Sequence, residues 1–288
     1  MARPQVLFRP ASPPLRLLRR FLEIVLARTP VGRWLGHVPF LPRLYARRVL
    51  ARRDHPRIFT GLYPTFAAAA ADIPSWRLAG WDNEDTSRLW VEQIDPVILS
   101  TYPVFFWLSR LVREQSVIVD FGGSIGLTYY GYRRYAALPA GVEWVIVELP
   151  KLCEQGRNIA LREGASNLRF VDRPGDAPNC DILLSAGALQ FVEHSIPGLL
   201  EGLAGRPRYL LLNKLPVTAA EDCWTLENFG PAVSPQRLFN ERRFLDYFSG
   251  HGYRLRDRWR VENLDCLIPF HPDHSIKYFS GFLFELAP

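Results

Sequence analysis

The chain has 288 residues, 48% of them apolar, enough to bury one large core with a smaller appendage; one main domain is expected rather than two equal ones. No apolar run reaches the roughly 18–20 residues of a membrane span, because Glu23 and Arg28 interrupt the longest N-terminal candidate, and no small-residue cleavage site follows to mark a secretory signal. The net charge of +6 is unevenly held: residues 1–57 carry thirteen Arg against Glu23 and Asp54, a net +11, which leaves −5 for the remainder.

From Leu15 to Arg28 the apolar residues Leu18, Phe21, Leu22, Val25 and Leu26 recur at helical spacing, while Arg16, Arg19, Arg20, Glu23 and Arg28 take the other positions. This predicts an amphipathic basic helix. Two readings of it stand: peripheral contact with an anionic membrane surface or a polyanionic substrate, and a cap helix packed on the body with its Arg side in solvent. Nucleic acid is not expected, since no recognition module accompanies Trp34 and Tyr45. Arg43 to Arg53 continues as a second basic helical segment, ended by His55-Pro56. Residues 1–57 thus form a basic arm. Residues 58–115 are expected to form a helical cap. An aromatic-rich turn, Ile58 to Phe66, leads into an alanine helix, and a helical pattern from Asp85 to Gln115 carries Leu89, Trp90, Ile94, Phe105, Phe106, Leu108 and Leu111.

The main domain, 116–288, opens on Val117-Ile-Val-Asp120-Phe-Gly122-Gly123-Ser124-Ile-Gly126. β-Branched residues, an acid and glycines at a tight turn predict a buried strand feeding a helix through an elbow where a ligand can approach the main chain. Val142 to Glu148 reads as a second strand, ending in an acid placed to accept both hydroxyl protons of a ribose. Pro150 starts the next helix. Leu168–Asp172, Asp181–Ser185 and Tyr209–Lys214 are strands three to five, Asn240 caps a last helix, and Arg254–Val261 and Tyr278–Leu286 close the chain. The four cysteines, Cys153, Cys180, Cys223 and Cys266, make no C-x-x-C pair, so a reducing, cytoplasmic setting is expected, with no disulfide framework and no metal.

Strand, Gly elbow, helix and strand ending in acid also describe a nicotinamide-dependent Rossmann oxidoreductase, and a non-catalytic scaffold retaining the fold is a third reading. The C-terminal half separates them. Five βα units, then a helix and two strands with no helix between, predict an α/β, Rossmann-like fold with a seven-stranded, mostly parallel sheet whose last strand is antiparallel. That is the class I methyltransferase shape, with the 58–115 helices as an N-terminal cap.

From about Phe59 to Leu286 the chain also resembles the class I S-adenosylmethionine-dependent methyltransferases encoded among bacterial O-antigen and other surface-polysaccharide genes. The resemblance rests on Gly61-Leu-Tyr63-Pro-Thr-Phe66, Asp120-Phe-Gly-Gly-Ser-Ile-Gly126, Glu148-Leu-Pro150, Asp181-Ile-Leu-Leu-Ser-Ala-Gly-Ala-Leu-Gln190 and Tyr278-Phe-Ser-Gly281. It implies S-adenosylmethionine as cofactor, S-adenosylhomocysteine as product, and O-methylation of a glycan or related small molecule. The first 57 residues lie outside it. Asp120 is expected at the methionine end of the cofactor, with Gly122, Gly123, Ser124 and Gly126 lining that end. Glu148 is expected on the ribose, Leu149 and Asp172 beside the adenine, and Ser185, Ala186, Gly187 and Gln190 beneath the sulfonium. His194 is the expected base, with His271 and His274 as rivals. Tyr129, Tyr130, Trp224 and Phe229 are read as a sugar-stacking set or as core. Glu221, Asp222 and Glu227 are read as acceptor contacts or as a solvated rim. A cytoplasmic location follows, at the inner face of the membrane if the arm binds lipid.

Overall fold

A computed structural model describes residues 13–53, 57–82, 98–193 and 196–287. In chain order these form α1 (Pro13–Arg28), α2 (Pro30–Gly36), α3 (Leu41–Leu50), β1 (Ile58–Tyr63), α4 (Phe66–Ala71) and β2 (Leu78–Ala79). Next come α5 (Tyr102–Leu111), β3 (Val117–Phe121), α6 (Leu127–Arg133), β4 (Glu143–Val147), α7 (Pro150–Arg162), β5 (Leu168–Val171) and β6 (Ile182–Ala186). The rest comprises α8 (Ile196–Glu201), β7 (Tyr209–Leu215), β8 (Val217–Thr218), β9 (Cys223–Asn228), β10 (Ala232–Asn240), α9 (Glu241–Gly250), β11 (Tyr253–Val261) and β12 (Phe279–Leu286). They divide into two compact units.

The larger unit is the predicted sheet, in the order β11-β12-β7-β6-β3-β4-β5. β3 to β7 are mutually parallel, and β12 runs antiparallel to both β7 and β11. Helices cover both faces of the central strands, which is why β3, β4, β6 and β7 read as mainly apolar runs. Val119, Val145, Leu183 and Leu210 pack on one side with Phe244 and Phe248 of α9 and Leu199 of α8. Ile118, Ile146, Ile182 and Leu211 alternate to the other, against Val104 and Leu108 of α5, Tyr129 of α6 and Cys153 of α7. Asn240 caps α9 as predicted, accepting from the Arg243 N–H at 2.9 Å.

The smaller unit draws on residues 1–81, 220–238 and 266–277. Its sheet, ordered β1-β9-β10-β2, differs from the sequence expectation on two counts. Ile58–Tyr63 is a strand paired antiparallel with β9, not an aromatic turn, and the supposed rim after strand five is the β9–β10 hairpin. The region expected as a helical cap does hold α4 and α5 but opens on that strand. Leu89, Trp90 and Ile94 lie outside the described residues. Leu50, Ala69, Trp224, Leu226 and Val233 form this unit's apolar cluster. Asn228, wholly buried, donates to the carbonyls of Val49 (2.7 Å) and Arg52 (2.9 Å) at the end of α3. Its oxygen accepts from Arg77 and the Gly230 N–H, so a costly buried amide is fully satisfied.

Candidate active site

Because β3 to β6 are parallel, whatever follows each strand lies along one edge of the sheet, and a parallel α/β sheet binds ligands at its carboxyl edge. The turn after β3 is stitched to both neighbours. The Gly122 N–H donates to the Val147 carbonyl at 2.8 Å, the Ser124 N–H to Glu148 Oε2 at 3.0 Å, and Ser185 Oγ to the Phe121 carbonyl at 3.0 Å. Glu148 Oε1 accepts from the Leu149 N–H at 2.9 Å, and Gln190 Nε2 donates to the Gly187 carbonyl at 3.1 Å. The structure therefore brings Gly122, Ser124, Glu148, Leu149 and Ser185 into one connected edge, with Ala186, Gly187 and Gln190 continuing from Ser185.

Two glycines are required by this geometry. Gly122 has φ +70°, and a Cβ there would lie 2.0 Å from that of Ala188. At Gly123 a Cβ would lie 2.6 Å from the Asp120 carboxyl group, so only glycine lets the turn close over the acid. Ser124 holds φ +54° without being glycine, a strained conformation of the kind concentrated at functional sites. Gly126 (φ +103°) precedes α6.

The polar groups of this edge are incompletely satisfied. Asp120 is wholly buried; its Oδ2 accepts from Trp144 Nε1 at 3.3 Å, while Oδ1 has no partner. Burial pushes its carboxyl up to about 7, the Trp144 hydrogen bond opposing and the Glu148 charge reinforcing the shift. Burial also raises Glu148, against the two backbone N–H groups that favour its ionised form. Ser124 Oγ and Gln190 Oε1 are likewise buried without partners. Asp172 is exposed at the end of β5, on the same edge.

Several residues at this edge went unread in the sequence. Trp144 supplies the only described hydrogen bond to Asp120, and Ala188 seats against Gly122. Asn213, wholly buried at the end of β7, donates to the Ser100 carbonyl (2.8 Å) and accepts from Trp259 Nε1 (3.0 Å). Lys214, at φ +58°, follows it. The available signal was a polar pair ending an apolar strand on the ligand-binding edge.

Other candidates fall elsewhere. Tyr129 is core, bonded to Asn167 and edge-on to Trp144, and Trp224 is core beside Phe66. Tyr130 packs edge-on to Tyr129 and on the Ile125–Leu152 cluster. Phe229 stacks on Trp81 at 3.9 Å. Glu227 is no solvated rim: it is buried and paired with Arg57 at 2.8 Å. Asp222 faces Arg237 at 3.6 Å. His194 lies outside the described residues. His271 and His274 belong to the smaller unit, where burial lowers the His271 pKa and Asp273 pairs with Arg33. Among the described residues no group of three His, Cys, Asp or Glu is arranged to hold a metal ion.

No protein-family profile and no curated protein matches the sequence. Among solved structures, the chain is similar to the 1,6-didemethyltoxoflavin-N1-methyltransferase of Burkholderia thailandensis (16% identity, 71% of this chain and 83% of that one, TM-score 0.46). It is similar to the magnesium protoporphyrin IX methyltransferase of Synechocystis PCC 6803 (13%, 72% and 86%, TM-score 0.45). It is also similar to an S-adenosylmethionine-dependent methyltransferase of Aquifex aeolicus (12%, 70% and 98%, TM-score 0.47). The sheet's own strand order, with β12 reversed between β7 and β11, is that of a Rossmann-like class I methyltransferase fold.

Proposed function

We propose that the chain is an S-adenosylmethionine-dependent methyltransferase acting on an oxygen of a glycan or related small-molecule acceptor. The observation that carries this is the carboxyl edge itself. The turn after β3 and the acid after β4 are bonded to each other above a buried carboxyl group that has one oxygen without a donor. A β12 reversed inside the sheet departs from the 3-2-1-4-5-6 order of a dinucleotide oxidoreductase.

The residues suit the cofactor. Asp120 Oδ1 and Gln190 Oε1 lack donors, and an α-ammonium is a donor-rich cation. Each Glu148 oxygen, having accepted one N–H, keeps a lone pair for a ribose hydroxyl. In this reading Asp120, Gly122, Gly123, Ser124 and Gly126 hold the amino-acid end and Glu148 the ribose. Leu149 and Asp172 flank the adenine, and Ser185, Ala186, Gly187 and Gln190 form the floor. Bound there, S-adenosylmethionine supplies a methyl group on a positively charged sulfur.

The protein's own part is to align the acceptor, exclude water and take the hydroxyl proton. We assign that proton to His194, three positions beyond the Leu189–Phe191 turn that follows β6, because a neutral imidazole is the side-chain base suited to pH 7. His194→Gln then lowers turnover by about 10²–10⁴ with S-adenosylhomocysteine affinity unchanged; undiminished turnover removes the assignment. The reading as a whole is tested by calorimetric titration with S-adenosylhomocysteine. Saturable binding is expected, and binding of NAD(H) with none of S-adenosylhomocysteine overturns it.

A further inference from the structure

α3 packs inward through Val49 and Leu50, but α1 leaves much of its apolar side uncovered. On α1, Glu23 and Ala27 are buried, whereas Leu17 (72% exposed), Leu18, Phe21 (62%) and Leu22 face solvent. Positions 17, 18, 21 and 22 form one side of a helix, so this is a continuous stripe. Val31 and Trp34 (67%) of α2, Phe40 (76%) in the turn and Leu44 of α3 are exposed as well. Inner contacts hold the platform in place. A Cβ on Gly32 would lie 1.9 Å from the Leu26 carbonyl oxygen, Thr29 caps α2, and Phe270 donates its N–H to Leu26 while its ring meets Tyr45 edge-on.

The charge carried by α1 to α3 is almost wholly positive, although Arg33 is paired with the exposed Asp273. Arg20, Arg28, Arg33, Arg43, Arg47 and Arg48 are exposed, and the single acid between residues 13 and 53, Glu23, is turned inward beside Arg20 at 3.5 Å. A predominantly cationic margin around Leu, Phe and Trp matches a continuous anionic surface with an apolar interior beneath it. No helix among the described residues is long and apolar enough to cross a membrane.

We propose that α1 to α3 form a monotopic docking face for a bilayer bearing anionic headgroups. Leu17, Leu18, Phe21, Leu22, Trp34 and Phe40 enter the acyl boundary, and the flanking arginines engage phosphates. This is independent of the methyltransferase reading, and its test needs no activity. The full chain is cosedimented with vesicles of roughly two parts phosphatidylcholine to one of phosphatidylglycerol, and with phosphatidylcholine alone. Binding is expected to the anionic vesicles, at least tenfold stronger than to neutral ones. It should weaken as salt rises from about 0.1 M to about 1 M and the Debye length shrinks from about 10 Å to about 3 Å. Leu18→Glu with Phe21→Glu, and separately Leu18→Ser with Phe21→Ser, should each cut partitioning tenfold or more while circular dichroism stays unchanged, since both side chains are already in water. Equal binding to both vesicle types, binding indifferent to these substitutions, or a doubled mass by light scattering that Phe21→Glu abolishes without any lipid binding overturns the proposal.

Discussion

At the amino edge of the seven-stranded sheet the polar side chains have partners, mostly backbone groups. Asp181 accepts from the Val117 N–H (2.9 Å), Ser116 Oγ from the Arg113 N–H, and Asn167 accepts from the Tyr129 hydroxyl (2.6 Å) while donating to the Val142 carbonyl (3.3 Å). At the carboxyl edge of the same sheet Asp120 Oδ1, Ser124 Oγ and Gln190 Oε1 are left without partners. The amino edge even has a cavity of about 500 Å³, lined by Arg133, Leu138, Gly141, Val142 and Asn167. Its half-buried amide, Asn167, however, is already engaged. Volume alone is therefore a poor guide to a site; clustered, unmet hydrogen-bonding capacity in a buried setting is a better one, because an orphaned buried group costs stability that a ligand or an ordered water recovers.

The sharpest way to break this contrast is Asp120→Asn. The folded-state value of about 7 lies above the ordinary 3.8, so the folded chain keeps a proton that the unfolded chain has released. Asp120's contribution to stability is then whole below about pH 4 and is lost as pH climbs through about 7, by at most on the order of 4 kcal/mol. The Asn variant lacks that slope, so its melting temperature should gain on the wild type between pH 5 and pH 9, while S-adenosylhomocysteine affinity falls tenfold or more. A variant that binds like the wild type ends the ligand-facing role of this carboxyl group.

Next in size is Glu148→Ala, expected to weaken S-adenosylhomocysteine binding by about 1.5–3 kcal/mol, the value of charge-assisted hydrogen bonds. Unchanged calorimetric affinity would contradict it. At the opposite edge Asn167→Ala should cost about 1–3 kcal/mol of stability by removing the acceptor of the Tyr129 hydroxyl, which keeps only its bond from Arg133, and the donor to the Val142 carbonyl, with cofactor affinity untouched. A loss of affinity there would erase the distinction between the edges. Smallest is Ser124→Gly, which relieves the left-handed backbone and should stabilise the cofactor-free chain by up to about 1 kcal/mol. A lowered denaturant midpoint would mean that the position carries no strain.

The central strands were legible from their mainly apolar runs; β11 is the exception, a mostly exposed edge strand with Arg at 254, 256, 258 and 260, and the reversal of β12 was legible because no helix separates it from β11. The elbow and Glu148 were legible from glycine placement and strand-end position. The smaller sheet was not. In Cys223–Asn228 and Ala232–Asn240 the polar Thr225, Glu227, Ser234 and Gln236 alternate with apolar residues, a pattern that reads as half-solvated although all four are buried. Pro235 demotes the second strand further, and β1, the partner of β9, lies more than 150 residues earlier, with Gly61 breaking its register. Trp144 was read as a strand residue because nothing in a single sequence says that its indole N–H reaches the acid of the neighbouring strand.

β12 is the last of the seven strands to be synthesised yet sits inside the sheet. Until residues 279–286 arrive, β11 has no strand to pair with, and Phe244 and Phe248 lack the rings of Phe282 and Phe284, which lie 5.1 Å and 4.5 Å from them. A nascent chain on the ribosome therefore holds an open, adhesive seam between β7 and β11 until its closing segment clears the exit tunnel, and chaperone demand should peak in that interval.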